Sequence, residues 1–259
     1  MRPTTLSEAE TTRALSKVPQ VTVAFWLIKI CATTLGETGG DALSMTLNLG
    51  YAVSTLIFLL FFAVALAAQV TRDRYRPAVY WSVVVATTTV GTTTSDLFDR
   101  TLGFGYVKSS VILSIAVVAV LVLWRVVAGR LEFENITRRQ DEIFYWLTIL
   151  ISNTLGTALG DYAADDLGFG FQRGALVFAA ALAVVAIAYF ATRISRSVLF
   201  WAAYVLTRPL GATAGDTLTK PRNEGGFALG RISSSAVIAV VMVALIVITE
   251  SRGNRAARE

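Results

Sequence analysis

The sequence predicts an all-α membrane protein of eight transmembrane helices, built from four tandem two-helix repeats. Composition is the first reason: 54% of residues are hydrophobic and 16% charged, and the mean hydropathy of +0.61 lies outside the range of ordinary soluble domains. Run length is the second, because Tyr51–Val70, Ser109–Leu123, Gly174–Thr192 and Ile232–Thr249 carry no charge. Such runs approach what a helix rising about 1.5 Å per residue needs to cross a hydrocarbon core about 30 Å thick. The third is a spacing that recurs four times: an aromatic–tryptophan pair, a glycine ten residues after the tryptophan, and an aspartate fifteen after it. The copies are Phe25-Trp26…Gly36…Gly40-Asp41, Tyr80-Trp81…Gly91…Ser95-Asp96, Tyr145-Trp146…Gly156…Gly160-Asp161 and Phe200-Trp201…Gly211…Gly215-Asp216.

Each repeat opens on the segment that carries the motif. These segments, Val18–Gly36, Tyr80–Gly91, Ile143–Gly156 and Val198–Gly211, are shorter and more polar than the runs that follow them. They read as spans because their apolar surface has nowhere else to be buried. Met1–Gln20 is polar and lacks the apolar core of a signal peptide. The expected organisation is an N-terminal segment (1–17), one transmembrane domain (18–250, with repeats at about 18–72, 73–128, 138–193 and 194–250) and a tail (251–259).

The tryptophans fall 55, 65 and 55 residues apart, so repeats one and two form one half, and three and four the other. With two helices per repeat, all four enter the membrane in the same direction, as parallel rather than inverted repeats. A pseudo-fourfold or two-by-two arrangement about a central axis is the simplest packing.

Basic residues set the orientation. Fifteen of the 23 Lys and Arg fall in the N-terminal segment, the connections between repeats and the tail, including Arg72, Arg74, Arg76, Arg130, Arg138, Arg139, Arg193 and Arg196. The positive-inside rule then predicts cytoplasmic termini, with the aspartates towards the opposite leaflet. The net charge of +5 is thereby a topology signal and gives no reason to expect a nucleic acid partner.

Within the motif, the tryptophans are expected to be interface anchors or packing residues. The glycine pairs fit either close helix approach or a helix break that exposes backbone. Fifteen residues of helix is about 22 Å, so Asp41, Asp96, Asp161 and Asp216 lie in the outer part of the membrane, where a carboxylate must be paired, protonated, hydrated or cation-bound. They are the candidate ion-binding and metal-ligating residues; a helix N-cap is the plainer alternative. Glu37 adds a fifth carboxylate. Thr34, Thr89, Asn153 and Thr154 are the candidate supporting groups, within a wider run of hydroxyls. Asp99, Asp165 and Asp166 offer an acidic vestibule or a solvated loop edge.

The copies also diverge. Where repeats one to three have Thr33, Thr88 and Asn153, repeat four has Arg208 followed by Pro209. The proline is expected to kink or break its helix, and the arginine needs an anionic partner, an aspartate or Glu37. Lys29 is unique to repeat one. The chain has no histidine and a single cysteine, Cys31, so nitrogen or sulfur sites for zinc or copper are not expected. Oxygen donors favour protons, sodium, magnesium, calcium or manganese.

On Trp26, Trp81, Trp146 and Trp201 with their Gly-x-x-x-Gly-Asp elements, the chain resembles a family of bacterial integral membrane proteins made of four tandem copies of a repeat of unknown function. Repeat two departs by Ser95, and repeat four by Thr-Arg-Pro before its glycine. The resemblance implies the architecture and a bacterial inner membrane, and supplies no activity.

The residues themselves lead to an expected function: a transporter of a small hard cation such as manganese or magnesium, coupled to protons or another ion, with no cofactor beyond the bound cation. Its partners would be the lipid bilayer and that cation. A non-transporting scaffold or sensor is the alternative. An intramembrane aspartyl protease is less favoured, since the Gly-x-Gly-Asp element it uses is absent: the residue three before each aspartate is Thr38, Thr93, Ala158 or Thr213; no enzyme activity is expected.

Overall fold

The structure, a computed structural model, describes residues 16–131, 133–134 and 136–256. Arg2, Arg13 and Arg258, which are among the basic residues counted for orientation in the N-terminal segment and the tail, lie outside these residues, as do most of the N-terminal segment and the end of the tail. Eight long α-helices follow one another, two per repeat: α1 (Val23–Asp41), α2 (Gly50–Val70), α3 (Pro77–Asp96), α4 (Tyr106–Ala128), α5 (Arg139–Asp161), α6 (Gly170–Ala191), α7 (Arg196–Thr219) and α8 (Arg231–Ala256). Among the described residues there is no strand.

Two classes of helix arise from two kinds of sequence. The motif-bearing helices α1, α3, α5 and α7 form a closed ring in which each touches the next and α7 touches α1. The apolar helices form an outer layer with a fixed offset. The outer helix of each repeat packs on the inner helix of the next repeat: α2 on α3, α4 on α5, α6 on α7, and α8 back on α1. No repeat is therefore complete alone, and the last closes on the first. The outer helices keep apolar side chains such as Leu56, Ile115, Val184 and Val240 exposed, which only a lipid surrounding tolerates over such an area.

Five helices are long and apolar enough to cross a membrane: Gly50–Val70, Tyr106–Ala128, Arg139–Asp166, Gly170–Ala191 and Arg231–Arg252. Of these, the inner span Arg139–Asp166 is 67% buried and the four outer ones 6–22%. The protein is a multi-pass membrane protein. Helices α1, α3 and α7 are long but too polar to meet the same measure, because their threonines and charges face neighbouring helices rather than lipid.

The inner helices run longer than the sequence suggests. Gly36, Gly91, Gly156 and Gly211 do not end them; α1, α3 and α5 continue to their aspartates and then through one π-helical turn, at Ala42–Thr46, Leu97–Thr101 and Tyr162–Asp166. Nor does Pro209 break α7, which is helical on both sides of it. The ring lacks an N–H for the carbonyl one turn earlier, yet packing against Gly156 holds the segment in place. After the π turns, left-handed residues reverse the chain: Gly103 and Gly105 at φ 73° and 78°, with Asn48 and Gly50 in the same places of repeat one. Asn is among the few residues other than Gly that adopt this conformation readily.

The tryptophan end of the ring is sealed by aromatic side chains. Each motif aromatic meets the tryptophan of the next repeat: Phe25 on Trp81, Tyr80 on Trp146, Tyr145 on Trp201 and Phe200 on Trp26, with centroids 5.6–5.8 Å apart. Trp81, Trp146 and Trp201 are buried, so of the two expected roles the structure shows packing. Ser16 and Lys17 bind the central connection at Glu134 and Ile136, and Lys17 pairs with Glu142 at 2.9 Å. This end is closed.

Candidate functional site

Steps of four residues along each inner helix place side chains on one face. The repeat offsets convert that into layers across the ring. From the tryptophan end the layers are Phe25/Tyr80/Tyr145/Phe200, then Lys29/Val84/Ile149/Tyr204, Thr33/Thr88/Asn153/Arg208, Glu37/Thr92/Thr157/Ala212 and Asp41/Asp96/Asp161/Asp216. All twenty are buried, none more than 5% exposed.

Small residues make such close layers possible. A Cβ on Gly36 would strike the Thr88 side chain, on Gly91 the Asn153 backbone at 2.8 Å, on Gly156 the Arg208 side chain and on Gly211 the Thr33 side chain. Each glycine thus receives the next repeat's residue from the middle layer, and the cycle closes from repeat four to repeat one. Close approach, not a helix break, is what the glycines provide.

The four aspartates come together at the far end of the ring. They stand at the C-terminal ends of α1, α3 and α5 and one turn before the end of α7, where the helix dipole already disfavours negative charge. None makes the side-chain bond of an N-cap: Asp41, Asp96 and Asp161 all have helical backbone and bond no following amide. Tethered cations compensate them. Arg100 lies 2.8 Å from Asp96 and 3.2 Å from Asp161, while Lys220 lies 3.6 Å from Asp216 and 3.9 Å from Asp41. Arg231, at the start of α8, adds a contact to Asp41 at 3.3 Å.

A two-by-two pattern is superimposed here on the pseudo-fourfold packing. Arg100 and Lys220 each sit four residues after the aspartate of an even-numbered repeat, where repeats one and three have Met45 and Asp165. Each bridges its own aspartate to that of the following repeat. Only the Asp161 contact of Arg100 is aligned as a hydrogen bond; the contacts to Asp96 and Asp216 are not, and Oδ1 of each remains without a hydrogen-bond partner. Lys220 lies one residue beyond α7. Burial lowers its ammonium pKa, but Asp216 and Asp41 more than offset this and hold it above its usual value.

Two layers inwards, Arg208 is fully buried on the axis. Its partner is Glu37: both Nη1 and Nη2 donate to Oε2 at 3.1 Å. Nη2 also donates to Thr157 at 2.7 Å and to Thr92, and Thr92 donates to Glu37 at 3.3 Å. Four repeats therefore meet at one guanidinium. On the tryptophan side of it, the Lys29 ammonium contacts Asn153 Oδ1 at 3.4 Å and lies 4.2 Å over the Tyr204 ring. Asn153 in turn donates to Thr87 at 2.9 Å.

The other candidates occupy different places. Thr34, Thr89 and Thr154 bond carbonyls of their own helices at 2.9–3.1 Å and do not join the axial network; only Asn153 of the four does. Asp99 accepts from Ser95 at 3.1 Å and from Ser109, and is buried, whereas Asp165 and Asp166 are exposed. Among the described residues, no group of three or more acidic or cysteine side chains is arranged to hold a metal ion. Each site aspartate instead faces a side-chain cation. Arg100, Lys220 and Arg231 are site residues that the repeat motif does not single out; the signal for the first two is Asp-x-x-x-Arg and Asp-x-x-x-Lys, one helical turn apart.

A family model described as a Repeat of Unknown Function (DUF347) matches the chain four times, at residues 24–75, 79–129, 144–195 and 199–250. No curated protein and no solved structure matches it.

Proposed function

The chain belongs to this fourfold-repeat family, and from its buried carboxylates we propose that it is an eight-span carrier of a small hard cation, exchanging that cation with its own tethered ones. Asp41, Asp96, Asp161, Asp216 and Glu37 supply the oxygen ligands. We place it in the bacterial inner membrane with both termini in the cytoplasm, following the distribution of Arg and Lys.

One observation supports this reading above the others: two side chains, Arg100 and Lys220, each span a pair of aspartates across a repeat boundary. Paired buried carboxylates are what a divalent ion such as manganese or magnesium takes as ligands. A flexible basic side chain that occupies the pair between loads offsets one of its two negative charges, which matters because an unpaired carboxylate at this depth costs on the order of 2–4 kcal/mol. Loading then requires Arg100 or Lys220 to leave. A proton or a second ion is the natural coupling partner.

The competing readings are less well supported. A scaffold with aspartates as helix caps is opposed by the absence of cap bonds. A protease dyad needs two carboxylates sharing one proton, and a guanidinium bridges Asp96 and Asp161. Purified protein in proteoliposomes tests the proposal through uptake of radiolabelled manganese(II) and sodium. Wild type should carry at least one of them, and Asp161→Asn and Asp216→Asn should each reduce that uptake to the level of protein-free vesicles. Unchanged uptake in both variants would refute the proposal.

A further inference from the structure

A groove on the lipid-facing surface lies where the two halves of the molecule meet, at the tryptophan end. α2 packs along α3 and α4 along α5, and between α2 and α5 there remains a space of about 310 Å³. Phe62, Leu66 and Val70 form one wall, and Ile143, Leu147 and Leu150 the other. Steps of four residues bring the first three onto one helix face, as they do Arg139, Ile143 and Leu147. Ile143 and Leu147 are 61% and 40% exposed, so the groove opens outwards. Both walls belong to helices long and apolar enough to cross a membrane. Lipid chain rather than water therefore fills the groove, because apolar walls offer water no partners and an empty slot forfeits the dispersion contacts of its lining.

Depth and charge narrow the occupant. Arg139 to Leu150 is eleven residues of helix, about 16 Å, which matches one leaflet of a hydrocarbon core about 30 Å thick. The Arg139 side chain lines the interfacial end of the groove yet is exposed, the posture of a stem on apolar surface with its charged head among headgroups. Arg138 precedes it, and Arg72 and Arg74 follow Val70 by two and four residues; all three are exposed. The carboxylates in the first turn of α5 are already engaged. Lys17 ties the two walls together, donating to the Val70 carbonyl at 3.1 Å and to Glu142 at 2.9 Å, and Asp141 accepts from Trp124 Nε1 at 2.8 Å. Asp73, between Arg72 and Arg74, offsets one of their charges. The balance at the mouth of the groove is positive.

We propose that this groove binds one anionic phospholipid of the phosphatidylglycerol type, with an acyl chain between α2 and α5 and its phosphate held by Arg139. The guanidinium fork matches phosphate oxygens, and basic pockets between spans are where anionic headgroups bind. Because α2 belongs to the first half and α5 to the second, the lipid bridges the halves where protein leaves the space unfilled. The site is independent of the carrier reading.

Native mass spectrometry of the detergent-purified protein with added phosphatidylglycerol or phosphatidylcholine tests it. Wild type should retain one phosphatidylglycerol in preference to phosphatidylcholine. Arg139→Met removes the charge and keeps an apolar stem; it should lower phosphatidylglycerol affinity about fivefold, the worth of one interfacial arginine, and leave phosphatidylcholine unchanged. Arg193→Met, on another connection, should change neither. Leu66→Trp should fill the groove and displace the lipid; should that variant fold poorly, Ile143→Trp, at an exposed position, fills the same groove. Equal retention of the two lipids by wild type overturns the proposal, as does wild-type phosphatidylglycerol affinity in Arg139→Met or in a folded groove-filling variant. An equal loss in Arg139→Met and Arg193→Met also overturns it, since diffuse surface charge would then be the cause.

Discussion

At the scale of single residues, the site is governed by the cost of burying charge. Arg208 and Glu37 are at most 4% exposed, and such a pair is weak evidence for stability but strong evidence for mutual dependence. Glu37→Gln strands the guanidinium, so it should destabilise the folded protein by about 3–5 kcal/mol, while Glu37→Gln combined with Arg208→Gln should recover much of that loss. Unfolding in detergent checks this, and additive losses would show that the two do not act as a pair. The sequence made Arg208 and Glu37 conspicuous, because each occurs in one repeat only. It did not show which hydroxyls join them. Thr33 and Thr34, or Thr88 and Thr89, differ by one position in a run of threonines, and only helix rotation decides which faces the axis.

Helix packing is the next scale, and there the glycines separate into two kinds. Gly91 faces the Asn153 backbone, which cannot move aside, whereas the nearest atom to a Cβ on Gly39 is a Thr89 methyl at 4.0 Å. Gly91→Ala should therefore cost about 1–3 kcal/mol through overpacking. Gly39→Ala should be neutral or mildly stabilising, since Ala is favoured over Gly in a helix by about 0.8–1.0 kcal/mol. Thermal unfolding of the two variants checks the contrast; equal effects would contradict the close-approach account. The outer helices were legible from their uncharged runs alone. For the inner ones the sequence leaves open whether the helix runs past its glycines, because small residues have the same sequence signature whether they admit a neighbour or terminate a helix. Pro209 misled for the same reason: its effect depends on what holds the segment from outside.

For the whole molecule, repeat spacing foretold four equivalent units but not how they interlock. The offset that places each outer helix on the next repeat's inner helix follows from which faces are apolar in three dimensions, which no linear pattern reports. The two-by-two charge pattern was present as Arg100 and Lys220 one turn after their aspartates, yet it gains meaning only once the ring brings adjacent repeats together. The proposed eight spans would place the connections between repeats and the aspartate-end turns on opposite faces. With Cys31 replaced by Ala, Arg74→Cys and Asp166→Cys should react with a membrane-impermeant maleimide from opposite sides of the vesicle; labelling from one side would contradict the eight-span topology.

The central claim is that tethered cations and the substrate compete for the same buried carboxylates. Equilibrium binding of manganese(II) or sodium, whichever wild type carries, to Arg100→Met tests it most directly, because this variant removes a competitor and leaves every carboxylate in place. Binding tighter than wild type is the predicted result. Binding that is unchanged or weaker would contradict the account, and would make Arg100 a structural clamp.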